Sequence, residues 1–270
     1  MHEPPALRLW SCGRTSVGRV RQNNEDNLWL GRVGDPEATA GDREASGSTG
    51  FPGMLLAVAD GMGGAKAGEV ASRLAVETLA TELQQRVGAT PLAGRELRDA
   101  GRGAVHAANE KIRDDGAHDE AREGMGTTLT VAWLVGGAAE LFQVGDSRAY
   151  LFREGRLSQL TRDQSLVGKL VEDGLLSEEE AERLPGRHII LQALGSEEDL
   201  DIVHESVSVR NGDVLLLCTD GLSGLVKLPE LEAVLRKSGP LSDQCARMIE
   251  LAEQQGGTDN ITVLLARVGA

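Results

Sequence analysis

The apolar runs of this chain are short and do not alternate regularly with helical segments. That one feature excludes more folds than any other. A doubly wound parallel sheet needs a helix between neighbouring strands, and that alternation is missing. The runs LRLWSCG, NLWLG, MLLAVA, TTLTVAWLV, AELFQVG, AYLFREG, VLLLC and ITVLLARV have the length and composition of strands. Three of them, from TTLTVAWLV to AYLFREG, follow one another across short glycine-containing turns, which predicts an antiparallel meander. Apolar positions at Val70, Leu74, Leu79 and Leu83 predict a helix over 67–87, and a second is expected over about 94–113. Shorter helical patterns fall at 164–173, 177–183, 229–237 and 242–255. A strand is expected over 201–209. Helices grouped between strand pairs predict a layered α+β domain with antiparallel sheets. The segment 34–53, rich in Gly, Ser, Thr, Asp and Pro, reads as a long flexible hairpin loop.

Length and charge narrow the function classes. The 270 residues suffice for one large domain. Against 28 Lys+Arg stand 42 Asp+Glu, a net charge of −14, which argues against a nucleic-acid partner and against docking on an anionic membrane. No apolar run approaches the ~18 residues of a membrane span, so no membrane insertion is expected. The first residues lack a basic stretch followed by an apolar one, so no secretory signal is read there. Three widely spaced cysteines, Cys12, Cys218 and Cys245, indicate neither a disulfide framework nor a zinc knuckle. A cytoplasmic protein with buried, reduced thiols is expected.

The acidic residues recur in one context. Asp60 ends MLLAVAD, Asp220 ends VLLLCTD and Asp146 ends LFQVGD. Glu25 and Asp26 stand just before NLWLG, and Asp259 just before ITVLLARV. A carboxylate where a strand enters or leaves a sheet is rigidly held yet can face solvent. Hard divalent cations take such oxygen ligands and keep several waters. Taken singly, each Asp-Gly or Asp-Asn pair is ordinary turn chemistry. The compact calcium-loop pattern is absent, and GMGG lacks the Lys-Ser/Thr ending of a P-loop.

The ordered set GRTSVGRVRQNNEDN, LLAVADGMGGAKAGEVAS, GMGTTLT, FQVGDSRAYLFREGRLSQLTRDQS, LPGRHIILQALG, VLLLCTDGLSGLV and GGTDNITVLL resembles the metal-dependent, type-2C (PPM family) Ser/Thr protein phosphatases in their compact bacterial form. The resemblance implies a four-layer α-β-β-α sandwich of two stacked antiparallel sheets. It implies a single catalytic domain over 7–268, with 1–6 an N-terminal extension and 164–188 a mobile flap. By the same resemblance Asp60 would bridge two Mn²⁺ or Mg²⁺ ions. Asp220 and Asp259 would complete one ion; the Gly61 carbonyl and Glu25 would serve the other. Asp26 would orient water and Arg21 would hold phosphate oxygens. Asp146 would be a ligand of a weaker third ion, with pairing to Arg148 as its structural alternative.

The chemistry implied is direct hydrolysis of phosphoserine and phosphothreonine by a hydroxide bridging the two ions. No protein nucleophile is needed, consistent with the lack of a Cys-x5-Arg loop. Some relatives carry a His where this chain has Met62, a side chain that cannot act as a general acid. The expected partners are a phosphorylated protein and a bacterial Ser/Thr kinase or its targets, with the enzyme a monomer. The competing reading is a catalytically silent phosphoprotein-binding module of the same fold, which would be expected to lose the metal aspartates.

Overall fold

The computed structural model describes residues 6–35, 41–63, 67–177, 180, 184 and 189–269. Two antiparallel sheets stack face to face. Sheet I has the order β3-β1-β12-β11-β8-β9, and sheet II the order β10-β7-β6-β4-β2, with the two-residue β5 added on β4. Their strands are β1 (Arg8–Ser16), β2 (Asp26–Arg32), β3 (Arg43–Ser48), β4 (Met54–Met62), β5 (Gly126–Thr127), β6 (Leu129–Val135), β7 (Ala138–Val144), β8 (Arg148–Arg153), β9 (Arg156–Gln159), β10 (Val203–Ser208), β11 (Val214–Cys218) and β12 (Ile261–Gly269).

Leu28, Leu30, Leu56, Val58, Leu215, Leu217, Leu264 and Ala266 fill the space between the sheets. The long helices α1 (Ala67–Arg86) and α2 (Arg95–His118) cover the outer face of sheet II, with Val76, Leu79, Leu83, Val105 and Ile112 packed on Trp133 and Phe142. The outer face of sheet I is covered by α5 (Leu228–Arg236) and α6 (Leu241–Gln254), through Leu231, Val234, Cys245 and Met248. Two further helices are short: α3 (Leu166–Glu172) and the single turn α4 (Asp220–Ser223). This is the expected four-layer sandwich. Strands buried on both faces explain the continuous apolar runs in β4, β6 and β11.

Two expectations are corrected. The segment 34–53 is not all loop: β3 lies inside it and pairs with β1 along the edge of sheet I. Its sequence, REASGS, is polar rather than apolar, and its first four residues alternate half-buried and exposed, as in an edge strand. The run from β6 to β8 is not a meander in one sheet. β6 and β7 pair in sheet II, but β8 crosses to sheet I and pairs with β11 and β9. The crossing is made at Gly145, whose φ of 102° suits glycine. A Cβ there would also lie 2.7 Å from the Thr128 side chain. Of the expected flap, residues 178–179, 181–183 and 185–188 lie outside the described residues, as do 36–40 of the expected loop; the described part of the flap holds α3.

Contact between α2 and sheet II is close enough to make a prediction. A Cβ at Gly101 would fall 2.0 Å from the ring of Phe142. Gly101→Ala is therefore expected to destabilise the fold by about 1–3 kcal/mol, the usual range for overpacking, read as a lower urea midpoint at unchanged slope.

Candidate metal centre

One end of the sandwich collects the acidic residues from both sheets. In sheet II, Asp26 on β2 and Asp60 on β4 are direct cross-strand partners. Two like charges opposite each other destabilise a ladder, so this pairing is costly. Asp220 opens α4 immediately after β11, Asp259 precedes β12, and Asp146 sits at the crossing from sheet II to sheet I. Their convergence shows in the electrostatics of Asp60. Burial first, and then the charges of Asp26, Asp220, Asp146 and Asp259, hold its carboxyl well above the usual carboxylate range. Asp26 is pushed up to about 7, mainly by burial and further by Asp220 and Asp259, against the bonds from Thr262 and Thr219. Burial and the charge of Asp220 push Asp146 up to about 7 as well.

The polar bonding around these groups is one-sided. Asp26 Oδ2 accepts hydrogen bonds from Thr219 Oγ1 at 2.8 Å and Thr262 Oγ1 at 2.7 Å. Its other oxygen, Oδ1, is buried with no hydrogen-bond partner, and so is Asp146 Oδ1. A buried oxygen without a donor is expensive, and a cation supplies the missing partner. Asp60 is fixed through its backbone: its N–H donates to Thr128 Oγ1 at 3.0 Å, and its carbonyl accepts from the Thr128 N–H at 2.9 Å and Thr127 Oγ1 at 2.9 Å. The carboxylate is left to face the cluster.

The loop bearing Arg21 and Glu25 is tied to the start of β12. Asn260 Oδ1 accepts from the Glu25 N–H at 2.8 Å, and its Nδ2 donates to the carbonyls of Val17 at 3.0 Å and Asn23 at 2.8 Å. Gly18, at φ 76°, lets this loop pass Asp259: a Cβ would lie 2.2 Å from the Asp259 carbonyl oxygen. The N-terminus of α1 closes on the same loop, since a Cβ at Gly68 would sit 2.0 Å from Glu25 Oε2. The Gly61 N–H donates to the Glu25 carbonyl at 3.2 Å. Burial raises the Glu25 carboxyl, with Asp259 and Glu69 adding to the rise and Arg21 opposing it. Arg21 reaches Asp259 Oδ2 with Nη2 at 2.7 Å, and this bond raises its pKa above the ordinary arginine value.

All eight residues singled out in the sequence therefore fall in this region. The alternative for Asp146 is not realised as an ion pair, because Arg148 forms a bidentate pair with Asp163, at 2.9 and 2.6 Å. Sequence reasoning missed Thr219, Thr262, Thr128 and Asn260, which hold the acidic groups in place. The CTDG and DNIT patterns contain three of them, but a hydroxyl's partner depends on strand register. The donor set is entirely oxygen, as Mn²⁺ and Mg²⁺ require. Among the described residues no three side chains already close on one point. The buried, unpartnered oxygens of Asp26 and Asp146 are donors of the kind such ions take.

Known proteins give the same answer. A family model described as protein phosphatase 2C matches residues 45–266. The chain is 36% identical over 252 residues to the serine/threonine phosphatase stp of Listeria welshimeri, covering 93% of each chain. It is 37% identical over 265 residues to the serine/threonine protein phosphatase PstP of Mycobacterium tuberculosis, covering 97% of this chain and 45% of that protein. The crystal structure of the Mycobacterium tuberculosis phosphatase PstP/Ppp superposes with a TM-score of 0.81 at 36% identity, covering 98% of this chain and 100% of that one. The PstP catalytic domain solved with two manganese ions superposes with a TM-score of 0.79, with the same identity and coverage. By sequence and by fold, the chain belongs to the protein phosphatase 2C family.

Proposed function

We infer that this protein hydrolyses phosphoserine and phosphothreonine in other proteins, with Mn²⁺ or Mg²⁺ as cofactor and one catalytic domain over 7–268. One observation carries the inference. Asp26, Asp60, Asp146, Asp220 and Asp259 are crowded at one sheet end, and their mutual repulsion, with burial, raises Asp26, Asp60 and Asp146 even though Arg21 pairs with Asp259. Asp60 would be shared by two ions. Asp220 and Asp259 would hold one of them, and Glu25 with the Gly61 carbonyl the other. Asp146 would serve a third, more weakly held ion. When bound, the ions supply an activated water and neutralise charge on the phosphoryl oxygens.

The side chains do the remaining work. Asp26, clamped by two threonine hydroxyls, offers its unpartnered Oδ1 to orient water. Arg21 is about half exposed beside Asp259, so its planar guanidinium can take two phosphate oxygens. Arg21→Lys keeps the charge but loses the fork. It is expected to raise KM for phosphopeptide by roughly 10-fold, equivalent to about 1.4 kcal/mol, with a smaller change in kcat.

The test is phosphate release from a phosphothreonine peptide. Release that requires Mn²⁺, stops with chelator and returns on re-addition supports the reading. Peptide binding without release at saturating Mn²⁺ would instead establish the silent binding module, a reading disfavoured by the retained carboxylates. A Ser/Thr kinase as the opposing activity is inferred from the substrate class. Monomeric action fits a site assembled within one chain. The three free, buried cysteines suit the reducing cytoplasm. Among the described residues, no helix is long and apolar enough to cross a membrane.

A further inference from the structure

Exposed apolar surface on this chain is concentrated beside the acidic site. Among the described residues seven large apolar side chains are exposed, and five of them stand in two stretches. Val17 and Val20 belong to the connection from β1 to β2, which also carries Arg21 and Glu25. Leu175 follows α3, and Ile189 and Leu191 lie where the chain returns alongside Gln164 and Ser165. None of the five joins the three apolar clusters that hold the sandwich together. A single exposed valine or leucine is ordinary on a protein surface, whereas a group of them beside a reaction centre marks a binding surface.

Both stretches are attached to the centre. The first leans on Asp259, through the close passage of Gly18 and the pairing of Arg21. Its backbone is pinned on either side of Val20. The Val17 and Asn23 carbonyls accept from Asn260 Nδ2, and the Arg19 N–H donates to the Gly257 carbonyl at 2.8 Å. Yet the Val20 side chain is 64% exposed. The second stretch leans on the Asp146 turn. The Leu191 N–H donates to the Gln164 carbonyl at 2.8 Å, and Gln164 Oε1 accepts from the Gly145 N–H at 2.7 Å. Asp259 and Asp146 both act on Asp60, so the two stretches border one centre.

We propose that these side chains form a subsite for apolar residues next to the phosphorylated Ser or Thr of the substrate, with Val20 as its chief contact. The proposal rests on the phosphatase reading above and names the substrate class it favours. The occupant follows from a tether. A phosphoryl group held beside Arg21 fixes the peptide that bears it, and successive Cα atoms of any chain are about 3.8 Å apart. Residues one or two positions from the phosphorylated one therefore pass over the immediate neighbours of Arg21, among them Val20. Covering Val20 with an aliphatic side chain removes apolar area from water on both partners. The loop is already held by its backbone bonds, so little ordering opposes the contact. A charged flank finds less. Arg21 is engaged with Asp259 and the phosphoryl group, and the Arg19 stem lies over Gly257, where a Cβ would meet its Cγ at 3.1 Å.

The experiment measures Mn²⁺-dependent phosphate release from short phosphothreonine peptides that differ only in the residues flanking the phosphothreonine. Those residues are leucine, serine, aspartate or lysine. Each rate is taken relative to that for para-nitrophenyl phosphate, which has no flanking residues. The leucine peptide is expected to exceed the serine peptide by about 10-fold in kcat/KM, chiefly through KM. Val20→Ser should cut that advantage to about 2-fold, and Val20→Leu should keep it. Three results would overturn the subsite while leaving the phosphatase reading intact: equal rates for all four peptides, a preference for the aspartate or lysine peptide, or a leucine advantage that survives Val20→Ser. Absence of Mn²⁺-dependent release from every substrate would overturn that reading and the subsite with it.

Discussion

Asp60→Asn is expected to lower Mn²⁺-dependent phosphate release by at least about 10³-fold, while making the metal-free protein more stable. The two effects come from the same carboxylate. Asp60 faces four other acidic side chains, and its charged form is disfavoured by burial and by each of them. Asparagine has nearly the same shape and carries no charge, so the apoprotein loses a repulsive centre. The neighbouring structure should hold, because Thr127 and Thr128 bond the backbone at position 60 rather than its side chain. What disappears is the proposed oxygen shared by two ions, for which an amide is a poor substitute. Phosphate release and urea unfolding in chelator, run on the same preparation, check both halves. A variant that keeps full metal-dependent turnover would refute the assignment of Asp60.

Stability of the metal-free protein should fall as pH rises. Asp26 titrates at about 7 in the folded protein against 3.8 for the ordinary carboxyl. A raised folded value means the native state holds its proton more tightly than the unfolded state does. Its contribution is complete below the unfolded value and is lost as pH climbs through the folded one. Between pH 5 and pH 8 in chelator, Asp26 alone should cost roughly 2–3 kcal/mol, at about 1.4 kcal/mol per unit. Asp146 shifts in the same direction. Saturating Mn²⁺ should flatten or invert the trend, because bound cations favour the charged carboxylates. Urea midpoints across that pH range, with and without Mn²⁺, measure both slopes. Equal slopes in the two series would mean that the acidic cluster is not where the metal acts.

Much of this was legible in the sequence, for identifiable reasons. Strands such as β11 and β12 are apolar throughout because both faces are covered, and their runs stand out against polar flanks. Helices α1, α5 and α6 fall within a few residues of their expected limits. The acidic residues were visible because each stands at the end of such a run. What was hidden depends on partners distant in sequence. β3 has no apolar signature and exists through its pairing with β1. The switch of β8 between sheets is invisible locally, because a tight glycine turn looks the same whether the next strand returns or departs. Thr219 and Thr262 look like ordinary strand residues until the fold sets both hydroxyls on Asp26, 193 and 236 positions away.

The place of β12 in the middle of sheet I has a consequence for synthesis. β12 comes last in sequence among the strands of the sandwich, yet it pairs with β1 on one side and β11 on the other. While a ribosome is still making it, the two strands it will join have nothing between them, and Asp259 has not reached the others. Sheet I can close only after Ile261–Gly269 has emerged. A nascent chain halted before Ile261 would present two open strand edges, the state most prone to pair with a neighbour. Sheet I therefore waits on β12, and Asp259 joins the acidic end of the sandwich at the same step.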